Sequence, residues 1–278
     1  MAIKIVTDST CDLPAEVVRG LGITVVPLKV FFGEEEFIDG VTITNSEFYA
    51  KMAKAKELPT TAQVNPEEFI KVFQKHLDNG DEVLGIFISS KLSGTCSSAF
   101  LAKKTLADQR VQVVDSESAT FGLGLLVVEA AEKALQGQSL NEIVNYLERI
   151  KKQIFLCGII NNLENLKKGG RLTATGALAG SFLGIKPLIT IKDGEVVLKG
   201  KARGLKKAYA WVLEEAKKNN IDFNSKTIYL AHADNKAGLE ELKEIILKDH
   251  KPQRIIECEI GSVVGTHTGA GCVGVCCL

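Results

Sequence analysis

Across residues 2–152, short apolar β-prone runs alternate with stretches that carry helix-start signals, and that alternation limits the possible folds more than any other feature of the chain. Residues 2–7 (AIKIVT), 83–88 (VLGIFI) and 111–114 (VQVV) read as strands. Helices are announced by capping boxes at Thr44-Asn45-Ser46-Glu47 and Ser139-Leu140-Asn141-Glu142. A further start stands at Asn65-Pro66-Glu67-Glu68, where proline is tolerated in a first turn, and Asn79-Gly80 marks the end of that helix. Single strands separated by helices pair in parallel and need cover on both faces, which predicts a three-layer α/β/α unit. Residues 23–32 are also β-prone, with Gly33 as the turn of a hairpin into 34–38. Asp12 is expected to cap a short helix that starts near Pro14. Thr60, Thr61 and Gln63 are expected in a short loop between helices, as turn chemistry or as a polar finger of a site.

The pattern changes near Lys152. A strand at 154–160 is followed by a Lys- and Gly-rich turn ending in Arg171, and then by a stretch of small residues at 177–184. Residues 185–191 and 195–198 flank Asp193-Gly194, a strong two-residue hairpin signal. Helices are expected at 205–219 and 237–248, and strands at 227–231, 254–260 and 272–277. Hairpin pairing combined with helices predicts a second, two-layer α/β domain with a mixed, largely antiparallel sheet. The expected division is 1–152 and 153–278, with no low-complexity linker and no internal repeat.

The candidate site begins at Ser89-Ser90-Lys91-Leu92-Ser93-Gly94-Thr95-Cys96-Ser97-Ser98, between the strand at 83–88 and a helix at 99–104. Such turns lie at the carboxyl ends of parallel strands, where ligands bind, and the N–H groups of the following helix favour an anion. Gly94 permits close backbone approach, while Ser93 and Thr95 supply hydroxyl donors; an ordinary helix cap would use the same residues. Gly122 and Gly124 are read as allowing close packing of their helix, with room for a ligand as the other reading.

Other motifs are weaker. Gly269-Ala270-Gly271-Cys272-Val273-Gly274 matches a dinucleotide fingerprint in letters only, since neither a helix nor an acidic residue follows. Cys272, Cys276 and Cys277 lack paired metal-ligand spacing, and alternate residues of a strand face opposite ways. His267, expected in a polar loop, pairs in principle with Ser93 as base and nucleophile, which would make the chain a serine-dependent acyl hydrolase or transferase. However, Ser93 lies in LSGT rather than in a GxSxG elbow. Arg171 and Arg203 stand in Gly-rich surroundings suited to an anion or a protein partner. With 34 basic and 34 acidic residues, no charge excess draws nucleic acid or an anionic membrane. No apolar run reaches the roughly 20 residues of a membrane span. The opening residues read as a strand rather than a signal peptide. Seven cysteines without a regular framework read as reduced thiols of a cytoplasmic protein, with no metal or cofactor expected.

Six segments in order, VTDSTCDLP, PTTAQVNPEEF, ISSKLSGTCSSA, VVDSESATFGLG, LKKGGRL and GTHTGAGCVGV, span nearly the whole chain. Together they resemble the DegV family of bacterial fatty-acid-binding proteins, which includes the binding subunit of fatty acid kinase. The resemblance implies a DegV-like two-domain fold with an acyl chain buried between or beneath the domains. It implies a carboxylate held by Thr61 and Ser93, with Gly94 and Thr95 in the same cradle and with His267 and Arg203 nearby. Arg171, in the GRL segment, is expected to contact a partner. It further implies a non-catalytic carrier of a long-chain fatty acid such as palmitate. A separate ATP-binding kinase would convert that acid to an acyl-phosphate for phospholipid synthesis. Thr61-Ala62-Gln63-Val64 replaces the commoner TSQP form, so the shape of this loop departs from the family pattern while Thr61 is kept.

Overall fold

The computed structural model describes residues 2–172 and 184–278. Strand β1 (Ile3–Asp8) leads through a 3₁₀ turn (Ser9–Cys11) and α1 (Ala15–Gly20) to β2 (Thr24–Val26), β3 (Lys29–Phe32) and β4 (Glu35–Ile38). Next come α2 (Asn45–Met52), β5 (Thr60–Ala62), α3 (Pro66–Asp78), β6 (Glu82–Phe87), α4 (Thr95–Leu106), β7 (Val111–Asp115), α5 (Thr120–Leu135) and α6 (Leu140–Ile150). The second half holds β8 (Phe155–Ile159), α7 (Glu164–Lys168), β9 (Ile185–Lys192), β10 (Glu195–Arg203), α8 (Leu205–Lys218) and β11 (Thr227–His232). It ends with α9 (Lys236–Asp249), β12 (Arg254–Glu259), α10 (Ser262–Thr268) and β13 (Val273–Cys277).

Strands β2-β1-β6-β7 form a four-stranded sheet in which every pair is parallel. Helices α3 and α4 pack on one face, and α5 and α6 on the other. This is the three-layer unit the alternation predicts. Strands β10-β9-β8-β13-β11-β12 form a six-stranded sheet, antiparallel except for β11 beside β12. Its hairpin turns through Asp193 and Gly194, whose φ values of 51° and 83° give the primed geometry expected of Asp-Gly. Helices α8 and α9 cover one face of this sheet, and α5 covers strands β11 and β13 on the other. Helix α5 is thus shared between the two sheets. Eleven of its sixteen residues are buried, which is why its sequence is apolar on all sides.

Several local expectations are corrected. Residues 60–62 are not a loop: β5 adds to β3 as the third strand of a β4-β3-β5 sheet, with Thr61 opposite Val30. Asp12 does not cap α1; it closes the preceding 3₁₀ turn at φ 51°, and Pro14 stands at the start of α1. Helix α2 starts at the Thr44 capping box as expected and stops at Met52. His267 lies on α10 rather than in a loop. Of the small-residue stretch at 177–184, positions 177–183 lie outside the described residues.

Candidate functional site

A cavity of about 200 Å³ lies between α5, the face of the six-stranded sheet at β8–β10, the start of α4, β5 and α10. Most of its wall is apolar, including Leu28, Ile88, Phe121, Leu156, Ile189 and Val264. Its polar residues are Thr61, Gln63, Ser93, Thr120, Arg171, His267 and Thr268. Among the described residues the lining contains no Asp, Glu or Lys, so Arg171 is its one permanent charge.

Ser93 owes its position to the turn after β6. Ser89 anchors that turn: its O–H donates to Gly194 O at 2.7 Å, and its carbonyl accepts from the N–H groups of Leu92 and Ser93. Asp8, at the end of β1, ties the same region down by accepting from Ile88 N at 2.9 Å. Ser93 Oγ lies 2.9 Å from Thr95 Oγ1 and accepts from Thr95 N at 3.2 Å. Thr95 itself is fully buried and does not line the cavity; it holds Ser93 from behind. Across the cavity Gln63 donates from Nε2 to Ser98 Oγ at 3.0 Å. Its amide covers Gly94 so closely that a Cβ there would collide with Gln63 Oε1. Gly94 thus permits close approach, here by a side chain of the protein, and a Cβ would push the Gln63 amide aside.

His267 Nε2 lies 3.2 Å from Thr61 Oγ1, joining α10 to β5. Its Nδ1 is buried and has no hydrogen-bond partner. The ring packs over Gly169, where a Cβ would overlap Nδ1. Burial, reinforced by the Arg171 guanidinium, pushes the imidazole pKa down to about 4, so the ring is neutral at pH 7. Two buried carboxylates fix the other end of α10. Asp12 accepts from Gly261 N at 2.9 Å; Asp39 accepts from Ser262 N at 3.0 Å and from Ser262 Oγ at 2.6 Å. Burial raises the pKa of both carboxyls.

The structure therefore brings Thr61, Ser93, Gly94 and His267 together, with Thr95 one layer back. Arg171, expected to face a partner, lines the cavity: Nε donates to Leu92 O at 3.1 Å, and Nη1 donates to Gly169 O. Arg203 is not brought to the site. It ends β10, the edge strand, opposite Ile185, and is exposed; the strand's pairing carries it away from the lining. Sequence reasoning missed Asp39 and Gly169, whose roles appear only through contacts with α10. The hydrolase reading needs Ser93 beside His267, but the imidazole is engaged by Thr61 and the Ser93 hydroxyl by Thr95. Gly269 and Gly271, at φ 74° and 87°, serve the turn from α10 into β13 rather than a phosphate loop. All seven cysteines are buried and free, and no metal-ligating cluster occurs among the described residues.

Fold and site together define an α/β protein, built on one parallel sheet, one largely antiparallel sheet and a small three-stranded sheet, that encloses an apolar cavity bearing hydroxyl, imidazole and guanidinium groups. The family model described as "Uncharacterised protein, DegV family" matches residues 2–278, and the chain belongs to that family. A DegV domain-containing protein of Caldanaerobacter subterraneus is 37% identical over 273 residues, covering 98% of this chain and 97% of the relative. A solved DegV family protein from Thermus thermophilus, described for its fatty acid binding, superposes with a TM-score of 0.93 at 36% identity, covering 100% of this chain and 99% of that one. A stearic acid-binding protein from Eubacterium ventriosum superposes at 0.90 with 30% identity, covering 99% and 97%. Among the described residues, no helix is long and apolar enough to cross a membrane.

Proposed function

We propose that this chain binds a long-chain fatty acid in the cavity, carboxylate toward Thr61, Ser93 and His267, and presents it to a separate kinase that forms the acyl-phosphate for lipid synthesis. The observation that carries the reading is the charge pattern of the lining: among the described residues, an apolar wall, one guanidinium, a neutral imidazole and no carboxylate. A carboxylate is costly to bury unless it is bonded, and the Thr61 and Ser93 hydroxyls with the nearby Arg171 charge meet that need. The tail contributes roughly 0.8 kcal/mol for each methylene removed from water, so the chain supplies most of the affinity and the head group sets orientation. The fatty acid binding described for the Thermus and Eubacterium structures supports the assignment.

In this reading the protein is a carrier without catalytic residues or cofactor, working in the cytoplasm, with 1–152 and 153–278 as its two domains. Arg171 is half-buried beside the cavity, and we place the kinase contact there, where a partner would meet the head group. Mass spectrometry of lipid extracted from purified protein tests the proposal. A near-stoichiometric fatty acid, lost when Thr61 and Ser93 are both replaced by alanine, is expected. No retained lipid and no uptake of added palmitate or oleate would overturn it.

A further inference from the structure

The two hydroxyls assigned to the carboxylate stand on separate substructures. Thr61 belongs to β5, which β3 holds in the small sheet, and Ser93 belongs to the turn that opens α4 against the parallel sheet. Among the described residues, two hydrogen bonds join the end of β5 to α4: Val64 N donates to Thr95 Oγ1 at 3.4 Å, and Gln63 Nε2 donates to Ser98 Oγ at 3.0 Å. Gln63 lies two residues beyond Thr61, the spacing of side chains that share one side of an extended chain, and both line the cavity. Gly94 and Ser98 are four residues apart on one face of the opening turn of α4, where Ser98 N donates to Gly94 O at 2.9 Å. The Gln63 amide lies along that face, with Nε2 on Ser98 and Oε1 1.8 Å from where a Cβ on Gly94 would stand. It is seated at both ends.

This contact does little for the stability of the fold. Gln63 is exposed, and one neutral hydrogen bond barely offsets the entropy lost in ordering a long side chain. What the amide does is hold the end of β5 against the first turn of α4, the two elements that carry Thr61 and Ser93. A carboxylate has to meet both hydroxyls at once, and a small misplacement costs it one of them. We infer that Gln63 is a positioning residue: its amide, seated on Gly94 and Ser98, sets the spacing of the two hydroxyl arms that hold the head group. This inference rests on the fatty acid reading proposed above.

A double-mutant cycle tests it, read as affinity for palmitate and for hexadecanol, a straight-chain amphiphile without a carboxylate. Both are measured by displacement of a fluorescent fatty acid from delipidated protein. Gln63→Met keeps the length of the side chain and removes the amide, and Ser98→Ala removes its acceptor. Each should weaken palmitate about fivefold and leave hexadecanol unchanged, and the two together should weaken palmitate no further than either alone. Gly94→Ala reaches the same contact from the helix side and should reproduce the loss, which keeps the test open if Ser98→Ala does not fold. Unchanged palmitate affinity, equal losses for palmitate and hexadecanol, or full additivity of the two substitutions in folded variants would overturn the positioning role while leaving the carrier reading intact. Failure of the unaltered protein to bind palmitate would overturn both.

Discussion

The His267 ring is buried beside a guanidinium, and both surroundings favour its neutral form. In the unfolded chain the imidazole titrates near its ordinary value of 6.5; in the folded protein it waits until about pH 4. As pH falls through that interval the unfolded state gains a proton that the folded state refuses, so His267 withdraws stability. Asp8 acts in the opposite sense, because burial raises its pKa to about 6 and the folded state takes up its proton first. The His267 contribution is therefore read by difference: wild type should lose more stability than His267→Gln between pH 6.5 and 4.5. Ring NMR should show no imidazole protonation above about pH 5 in the fatty-acid-free protein, and a higher pKa once a carboxylate is bound. Thr61→Val keeps the side-chain shape but removes the hydroxyl, and should weaken fatty acid binding by about 1.5–3 kcal/mol as measured by competition. Ser93 was legible because strand, turn and helix are adjacent in sequence. Arg171 was not, since its cavity placement depends on Leu92 across the site, 79 residues away.

At the scale of elements, the site hangs on α10. This short helix is held at one end by Asp12 and Asp39 and at the other by Thr61 through His267. Asp39→Ala leaves two Ser262 donors without their acceptor and should cost about 1–3 kcal/mol in urea unfolding, with poorer retention of lipid. Gly169→Ala probes the same helix from the α7 side. Its Cβ would displace the His267 ring, so binding should fall more than stability, separable by comparing affinity with the unfolding midpoint. The sequence shows no helical signal at 262–268, because its anchors are 249 and 223 residues away along the chain. Strand β5 was missed for a similar reason: three residues make a strand only when β3 is there to pair with them. The capping boxes at Thr44 and Ser139 needed no distant partner and were readable directly.

Across the whole molecule, the alternation of the first half and the hairpin of the second indicated two sheets, one parallel and one largely antiparallel. Their joining through a shared helix was hidden, although α5 bears its mark in being apolar on every side. Because α5 packs on both sheets and the cavity draws on both, ligand binding should stabilise the molecule as a unit. Fatty acid at a hundredfold excess over Kd contributes about 2.7 kcal/mol, and calorimetry should show one transition moved up by several degrees. The central claim is the seat of the carboxylate. The most direct test is NMR of palmitate labelled with ¹³C at the carboxyl carbon, bound to the protein and titrated with acid. A single bound resonance, in contact with the His267 ring and ionised to lower pH than free acid, with both features reduced in Thr61→Val, is the expected result. A carboxyl signal that titrates like free acid and ignores the Thr61 substitution would contradict it.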